Sequence, residues 1–442
     1  MLRLVVAFCM LLTSLPNFAV ERDNGGKGQV LLFPFFTTEN GWDTYLNVVL
    51  LSVRTDEVLK VRIIDGDDGA VVDTFNVYTK VGENWRAALA QVEPGQPILR
   101  VADGSCTIAS DGTFGGPGTD FPISTLTGLV EIYRVNVMDA RGSRVLEDST
   151  CQELAQRWDL GGSWAEDPMS DLSLDDSQPE IIGHFDLVNV SRGLSSEQPA
   201  IGLRDFSQEI AHTDPSSSSP SLLDSNPIAR LGSGTLVEPS SGEGIDAVAL
   251  LLSTQEGSIV NDVVVGSGVA ASTDWIVSFP LRGYKSYGEN EVEVDGRTLT
   301  CNENEIDELA MPFIETRLYF PWASWGGLQL TRGTSVLDPP PVVRYSAFLC
   351  YTVNVLSFGT GAPIFLNDDS PLQQFVGLNP GGVEVIEGSF GASYRFSDGF
   401  ADLESSIGRP VVAYRVTSFV NGTLDGGNVL ANYLFMRPHV VN

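Results

Sequence analysis

Histidine is scarce in this chain: His184, His212 and His439 are the only three among 442 residues. They show no HExxH or other zinc-ligand spacing, so the sequence supports no metalloprotease centre, and each is read as a structural or surface residue. The GxSxG elbow of serine hydrolases is missing. So are a P-loop and any GxGxxG between a strand and a helix, which leaves nucleotide chemistry unsupported. No metal and no cofactor is expected. Positive charge is also short, with 26 Lys and Arg against 57 Asp and Glu and a net charge of −31. That balance argues against nucleic acid as a partner and against charge-driven binding to anionic lipid; it suits a solvated acidic surface.

Long apolar runs are confined to the first residues. Arg3 is followed by Leu4 to Leu12 and Leu15-Pro16, with a cleavage site after Ala19, so residues 1–19 read as a signal peptide. The run is too short to span a bilayer, and no later stretch approaches that length. The mature chain is therefore expected to lack a transmembrane segment. It is also expected to be exported to the cell surface or extracellular space, with the periplasm also open. Cysteine is sparse too. With Cys9 in the leader, Cys106, Cys151, Cys301 and Cys350 remain, an even set that predicts two disulfides in an exported chain and allows three pairings.

What is plentiful is strand and turn composition, including 45 Gly and 24 Pro. Tyr45 to Ala90 reads as an antiparallel meander of Val, Ile, Leu, Phe and Tyr runs. In Leu59-Lys60-Val61-Arg62-Ile63 apolar and charged residues alternate, which predicts a sheet with one wet face. Asp65-Gly66-Asp67-Asp68-Gly69 is turn chemistry, and its mismatch to an EF-hand loop at the fifth and sixth positions favours a plain β-turn over a calcium site. Gly28 to Phe36 is a short buried strand bounded by Pro34, and residues 107–121 read as a loop. Ser149 to Trp158 is the clearest helix, with Ser149 and Gln152 at capping-box spacing and Cys151, Leu154, Ala155 and Trp158 on one face. Asp159 to Glu180 reads as an exposed acidic insertion.

Residues 213–244 contain DPSSSSPS and EPSSGEG, the best linker in the chain. It separates an N-terminal β-sandwich domain at 20–212, with an acidic insertion near 138–180, from a C-terminal one at 245–442. In the second half Ala247 to Ser253 resembles the strand run Val48 to Ser52. The separations Cys106–Cys151 and Cys301–Cys350, 45 and 49 positions, fit a diverged duplication with one disulfide per half. The expected fold is all-β, two antiparallel sandwiches, loosely immunoglobulin-like, with one short helix in an insertion.

Candidate ligand contacts are aromatic. Trp322 and Trp325, preceded by Tyr319 and Phe320, form the densest aromatic patch, set against the simpler reading of core packing. Glu39-Asn40-Gly41-Trp42 and Glu83-Asn84-Trp85 place carboxylates beside Trp as a sugar subsite would, but both also stand where a turn enters a strand. Glycoside hydrolysis needs only two suitably spaced carboxylates, and 57 acidic residues leave that reading open.

The stretches GQVLLFPFFTTENGWDTYLNVV, LKVRIIDGDDGAVVDTFNVYTKVGENWRAAL, ASTDWIVSFPLRGY and GRPVVAYRVTSFVNGTLDGGNVLANY resemble a family of exported Gram-negative bacterial proteins with no assigned activity. The resemblance implies a signal peptide and a secreted or surface-exposed life, and it carries no catalytic or binding residue. The expected role is a non-enzymatic structural or interaction protein of the cell surface, meeting another copy of itself or another surface component. A glycan-acting hydrolase or a carbohydrate-binding protein using surface aromatics is the alternative.

Overall fold

The computed structural model describes residues 18–51, 56–175, 180–255, 258–266, 270–284, 291–294, 297–300, 324–331, 342–349, 351–358, 363–376, 388–396, 407–424 and 429–439. Residues 1–17 of the expected leader 1–19, and Trp322, Cys301 and Cys350, lie outside them.

The chain is mostly β, as its turn-punctuated apolar runs predict. A ten-stranded sheet carries Val71–Thr79, Glu57–Asp65, Thr127–Val135, Val30–Thr37 and Ile201–Arg204 side by side at its centre. A seven-stranded sheet runs from Asp120–Pro122 through Gln96–Val101, Trp85–Glu93, Asp43–Leu50 and Ile181–Asn189 to Leu194–Pro199. The two sheets pack as a sandwich on apolar residues at every second position. Leu46, Val48, Phe185 and Leu187 from one meet Phe33, Val61 and Ile132 from the other, and all are buried to 0% exposure. Phe33 and Phe185 touch edge to face at 6.2 Å across the layer.

Pro34 lies inside the Val30–Thr37 strand rather than at its end. The pairing partner Val130 faces Phe33 while Gly128 faces Phe36, so one extra residue is accommodated there as a bulge. A bulge is where a strand tolerates a residue with no N–H. Residues 107–121 are also not a plain loop; Cys106–Ala109, Phe114–Gly115 and Asp120–Pro122 are short strands at the sheet margins.

The face predicted to be wet is buried. Lys60 and Arg62 are 1% and 3% exposed. The segment that follows Arg204 crosses this face, and the polar side chains beneath it grip its backbone. Lys60 Nζ donates to the carbonyls of Asp214 and Pro215 at 2.8 and 2.9 Å. Asn76 Nδ2 donates to the Thr213 carbonyl, and the Gln29 and Asn136 amides donate to those of Ser207 and Gln208. The alternation therefore encodes a second buried layer made of peptide groups and their donors, and the start of the Ser/Pro-rich stretch is tied down.

The charges beneath are paired. Arg62 meets Glu131 at 2.6 Å, and the hydroxyls of Tyr133 and Tyr284 close around them. Burial is opposed there by the Glu131 carboxylate, which keeps the Arg62 guanidinium pKa well above its usual value.

Ala247 to Leu252 lies in a helix, Gly244–Leu252, and only Ser253 begins a strand. Every residue of that helix is buried. A continuous apolar run has no periodicity to separate buried helix from buried strand, so the likeness to Val48–Ser52 was compositional only.

The predicted helix forms over Cys151–Gln156, with Leu154 and Ala155 buried. Its capping box is Thr150 with Glu153, one residue later than expected, and Glu153 accepts from the Thr150 N–H at 2.8 Å. A carboxylate at a helix start outcompetes the Gln152 amide. Asp159 to Glu180 is not wholly exposed. Trp164, in the short helix Ser163–Glu166, is 0% exposed, and Leu172–Leu174 pairs with Val137–Asp139.

Cys106 and Cys151 form a disulfide with a Cα–Cα distance of 5.1 Å. It ties the helix to the Cys106–Ala109 strand across a sequence separation of 45. The chain-entropy model values such a closure at roughly 4 kcal/mol. Reduction, or Cys106→Ser with Cys151→Ser, is expected to lower the urea-unfolding free energy by about that much. A loss under about 1 kcal/mol, measured with and without reductant, would count against this contribution.

The two sides of the 213–244 stretch share apolar contacts. Ile364, Phe365, Val355 and Tyr414 belong to the same hydrophobic cluster as Phe35, Trp42 and Leu46.

Candidate functional site

The paired carboxylate–Trp motifs are structural. Asn40 and Gly41 turn through positive φ, and Trp42 enters the core at 1% exposure. Its indole N–H donates to the Ile364 carbonyl at 2.7 Å, and its ring lies 4.9 Å from that of Phe365. Arg192 donates to the same carbonyl. Glu39 accepts from Thr127 Oγ1 at 2.9 Å and from the Asn367 backbone and side chain. This turn is thus a clasp on the 363–370 loop. Trp85 is likewise buried, at 0% exposure.

The Asp65–Gly69 segment is the expected turn: the Asp65 and Asp68 carboxylates accept from the backbone of Asp67 and Ala70. Gly69 has φ +81, and a side chain there would strike Gly283 and Thr352. Trp325 lies on the strand Ser324–Thr331, in register with Phe348.

Two histidines are buried. His212 stands among Tyr78, Trp158 and Trp164; its Nδ1 faces the Pro168 carbonyl at 2.7 Å and so carries the proton, leaving Nε2 to accept from the Tyr78 hydroxyl at 2.9 Å. Desolvation lowers its pKa to about 4, so it is neutral at pH 7. His439, against Trp275, is held lower still, at about 3, for the same reason. Asn189 is buried and donates its side-chain amide to the Asn40 carbonyl.

The surface that stands out is the outer face of the seven-stranded sheet. Its central strand, Asp43–Leu50, buries Thr44, Leu46, Val48 and Leu50 and turns Asp43, Tyr45, Asn47 and Val49 outward. Tyr45 is 39% exposed. Across the strands it is in register with Ala88 and then Arg100 and Asp120 on one side, and with Asp186 and then Glu197 on the other. Asn47 lies opposite His184 and Arg86 in the next row.

Asn47 Nδ2 donates to Asp186 Oδ2 at 3.1 Å, and Arg100 makes a two-point contact with Asp120 at 2.5 and 2.6 Å. Desolvation raises the Asp186 carboxyl pKa, helped by Glu197 and opposed by His184. It raises that of Asp43 as well, against the Arg100 guanidinium. The result is an open phenol ring bordered by amide, carboxylate and guanidinium groups, all on rigid strands. Such a surface can stack on an apolar face while hydrogen bonding at its rim. In sequence these residues read only as a strand, although the period-two alternation of Tyr45, Asn47 and Val49 carries the signal.

Another exposed aromatic group lies on the last hairpin. Phe419 and Tyr433 stack at 4.6 Å, and Phe435 has Arg415 and Arg437 within 5.2 and 4.8 Å. Those rings already cover one another or are capped by guanidinium groups, whereas among the described residues no ring stacks on Tyr45. No helix of the described residues is long and apolar enough to cross a membrane.

No protein-family profile matches the chain, and no curated protein matches it. Among solved structures, the apo form of Pleurotus ostreatus lectin aligns with 9% identity over 93% of this chain and 82% of its own, with a TM-score of 0.14. A similarity at that level establishes neither a shared fold nor a shared role.

Proposed function

We propose that this is an exported, non-enzymatic interaction protein of the cell surface or extracellular space. Its working surface in this proposal is the outer face of the seven-stranded sheet around Tyr45. The observation that supports this is the open phenol ring in a six-strand row that carries Asp120 and Arg100 on one side and Asp186 and Glu197 on the other. A signal-like leader, the acidic composition and the resemblance to exported bacterial proteins agree with that setting.

The favoured second reading narrows the partner to a glycan. A ring with an uncovered face beside carboxylate and amide groups suits the apolar face and the hydroxyls of a pyranose.

Tyr45→Ala with Asp186→Asn is expected to cut retention of the purified protein on intact cells or cell-envelope fractions by at least tenfold, about 1.4 kcal/mol. Both residues stand on the surface, so stability should move by no more than about 0.5 kcal/mol. Undiminished retention would remove this face from the proposal. A glycan array with the same pair of proteins then separates a sugar partner from a protein one.

A further inference from the structure

His212 joins three parts of the fold, and its surroundings have room for one ring proton only. It stands on the strap, residues 207–216, that crosses the polar face of the ten-stranded sheet, and it is 4% exposed. The strap residues after it are held by their carbonyls, on Asn76, Lys60 and Thr74. His212 adds a side-chain link in two directions. Its Nδ1–H donates to the Pro168 carbonyl, just past the short helix Ser163–Glu166, and its Nε2 meets Tyr78 on the Val71–Thr79 strand. The rings of Trp158 and Trp164 close around it, each at 4.9 Å.

The Tyr78 hydroxyl fixes the proton count. Its oxygen accepts from the Trp158 indole N–H at 3.0 Å and from Asn76 Nδ2 at 3.4 Å, so its own proton goes to the His212 Nε2 lone pair. A second proton on the imidazole would set an N–H against that O–H and leave the hydroxyl proton without an acceptor. Nor does a counter-ion wait nearby. Glu57 and Glu131 on the sheet are taken by Arg134 and Arg62, and Asp171 by Arg157. Asp167 accepts from the Met169 N–H, Asp214 from Ser216, and Glu209 is exposed. The neighbouring cations raise the cost further: Lys60 acts on the ring through its charge, and the Arg157 guanidinium already lies over Trp164 at 5.2 Å. Burial accordingly holds His212 at about 4, against 6.5 for a free imidazole.

We propose that His212 is an acid-released latch, whose protonation frees strap residues 211–216 from Tyr78 and from the Pro168 loop while the sandwich beneath stays folded. Phe206 and Ile210 on one side and Leu222 on the other are fully buried and bound the stretch that opens. The open form takes up the proton at the ordinary value and the closed form resists it, so opening is favoured as pH falls through 6.5 and levels off below 4. The opening equilibrium should rise about 20-fold from pH 7 to pH 5.

The test is amide hydrogen exchange of the full chain at pH 7 and pH 5, read as protection factors so that the intrinsic rate cancels. Amides in 211–216 should lose about 20-fold in protection, and those of the central strand Thr127–Val135 less than about twofold. His212→Gln offers one donor and one acceptor, as the neutral ring does, and cannot take up a proton. Protection of 211–216 in that variant should change by no more than about threefold, the share left to Lys60, which burial holds at about 7. The wild-type ring gives a second readout that needs no variant: its Cε1 proton should titrate below about pH 5 by NMR. Unchanged protection of 211–216, an equal loss in Thr127–Val135, an equal loss in a folded His212→Gln, or a ring titrating at pH 5 or above would each overturn the proposal.

Discussion

Replacing Arg134 by methionine is expected to cost about 3–5 kcal/mol of folding stability, the loss typical of removing one member of a buried ion group. Arg134 is 0% exposed, and its two carboxylate partners, Glu57 and Asp175, are 2% and 3% exposed. Its Nε donates to Glu57, and its Nη2 lies 2.5 Å from Asp175 Oδ2. The guanidinium thus joins the Glu57–Asp65 and Thr127–Val135 strands to the end of the Leu172–Leu174 segment.

Without it two carboxylates face each other in a low-dielectric site, and both must take up protons or be rehydrated. The loss should therefore be smaller at pH 4 than at pH 8, because a carboxylate whose folded-state pKa is raised destabilises more as pH rises through that value. Exchanging all three residues for apolar ones of similar volume, Glu57→Leu, Arg134→Met and Asp175→Leu, should recover most of the loss. Urea unfolding of the wild type, the single variant and the triple variant at two pH values is the measurement. A single variant within about 1 kcal/mol of wild type would show that the cluster contributes little.

A buried polar strand face and a wet one carry the same sequence pattern. Alternation in Leu59–Ile63 located a strand correctly, because side chains on a strand point to opposite faces whatever covers them. It did not show that the polar face is covered, since Lys60 and Arg62 look the same toward water as toward the carbonyls of Asp214 and the carboxylate of Glu131. That pairing needs residues more than sixty positions away, and no local pattern reports it. The helix Gly244–Leu252 was missed for a related reason: buried on all sides, it has no polar face to set its period. The disulfide between Cys106 and Cys151 was within reach because exported chains favour even cysteine sets and the separations match. The Tyr45 face was legible as a pattern but not as a site. Only the register of six strands brings Asp186, Glu197, Arg100 and Asp120 into one row with it.

The Asp43–Leu50 strand also shows how one element serves two ends. The turn before it, Asn40 to Trp42, grips the 363–370 loop from the far side of the Ser/Pro-rich stretch, while the strand itself presents Tyr45 outward. Burying Trp42 completely fixes where the strand begins, and so fixes the row of side chains on the outer face.

Asp274 makes the same contact region sensitive to pH. It lies on the strand Ala271–Ser278 at 1% exposure and accepts from Ser357 Oγ at 2.5 Å and from the Ile364 N–H at 2.9 Å. Desolvation pushes its pKa up to about 6, against hydrogen bonds from Ser357, Ile364 and Phe365 and the charge of Arg192. The folded-state value is therefore above the unfolded one of 3.8. The favourable contribution of the protonated group is fully present below pH 4 and is lost as pH rises through 6, by at most about 3 kcal/mol at 1.36 kcal/mol per unit.

Asp274→Asn cannot ionise, so its stability relative to wild type should improve by up to that amount between pH 4 and pH 8. At pH 4 the variant should be about 1 kcal/mol less stable, because a single amide oxygen must serve two backbone donors. Urea midpoints of both proteins at pH 4, 6 and 8 test this, and a difference that does not change with pH would refute it. Asp274 holds the Ile364 N–H while Trp42 and Arg192 hold the Ile364 carbonyl, so above pH 6 an opening of the clasp that rehydrates the ionised carboxylate becomes less costly. Amide exchange at Ile364 and Phe365 should accordingly quicken above pH 6 beyond the ordinary base-catalysed rise, and the Asn variant should not show the excess.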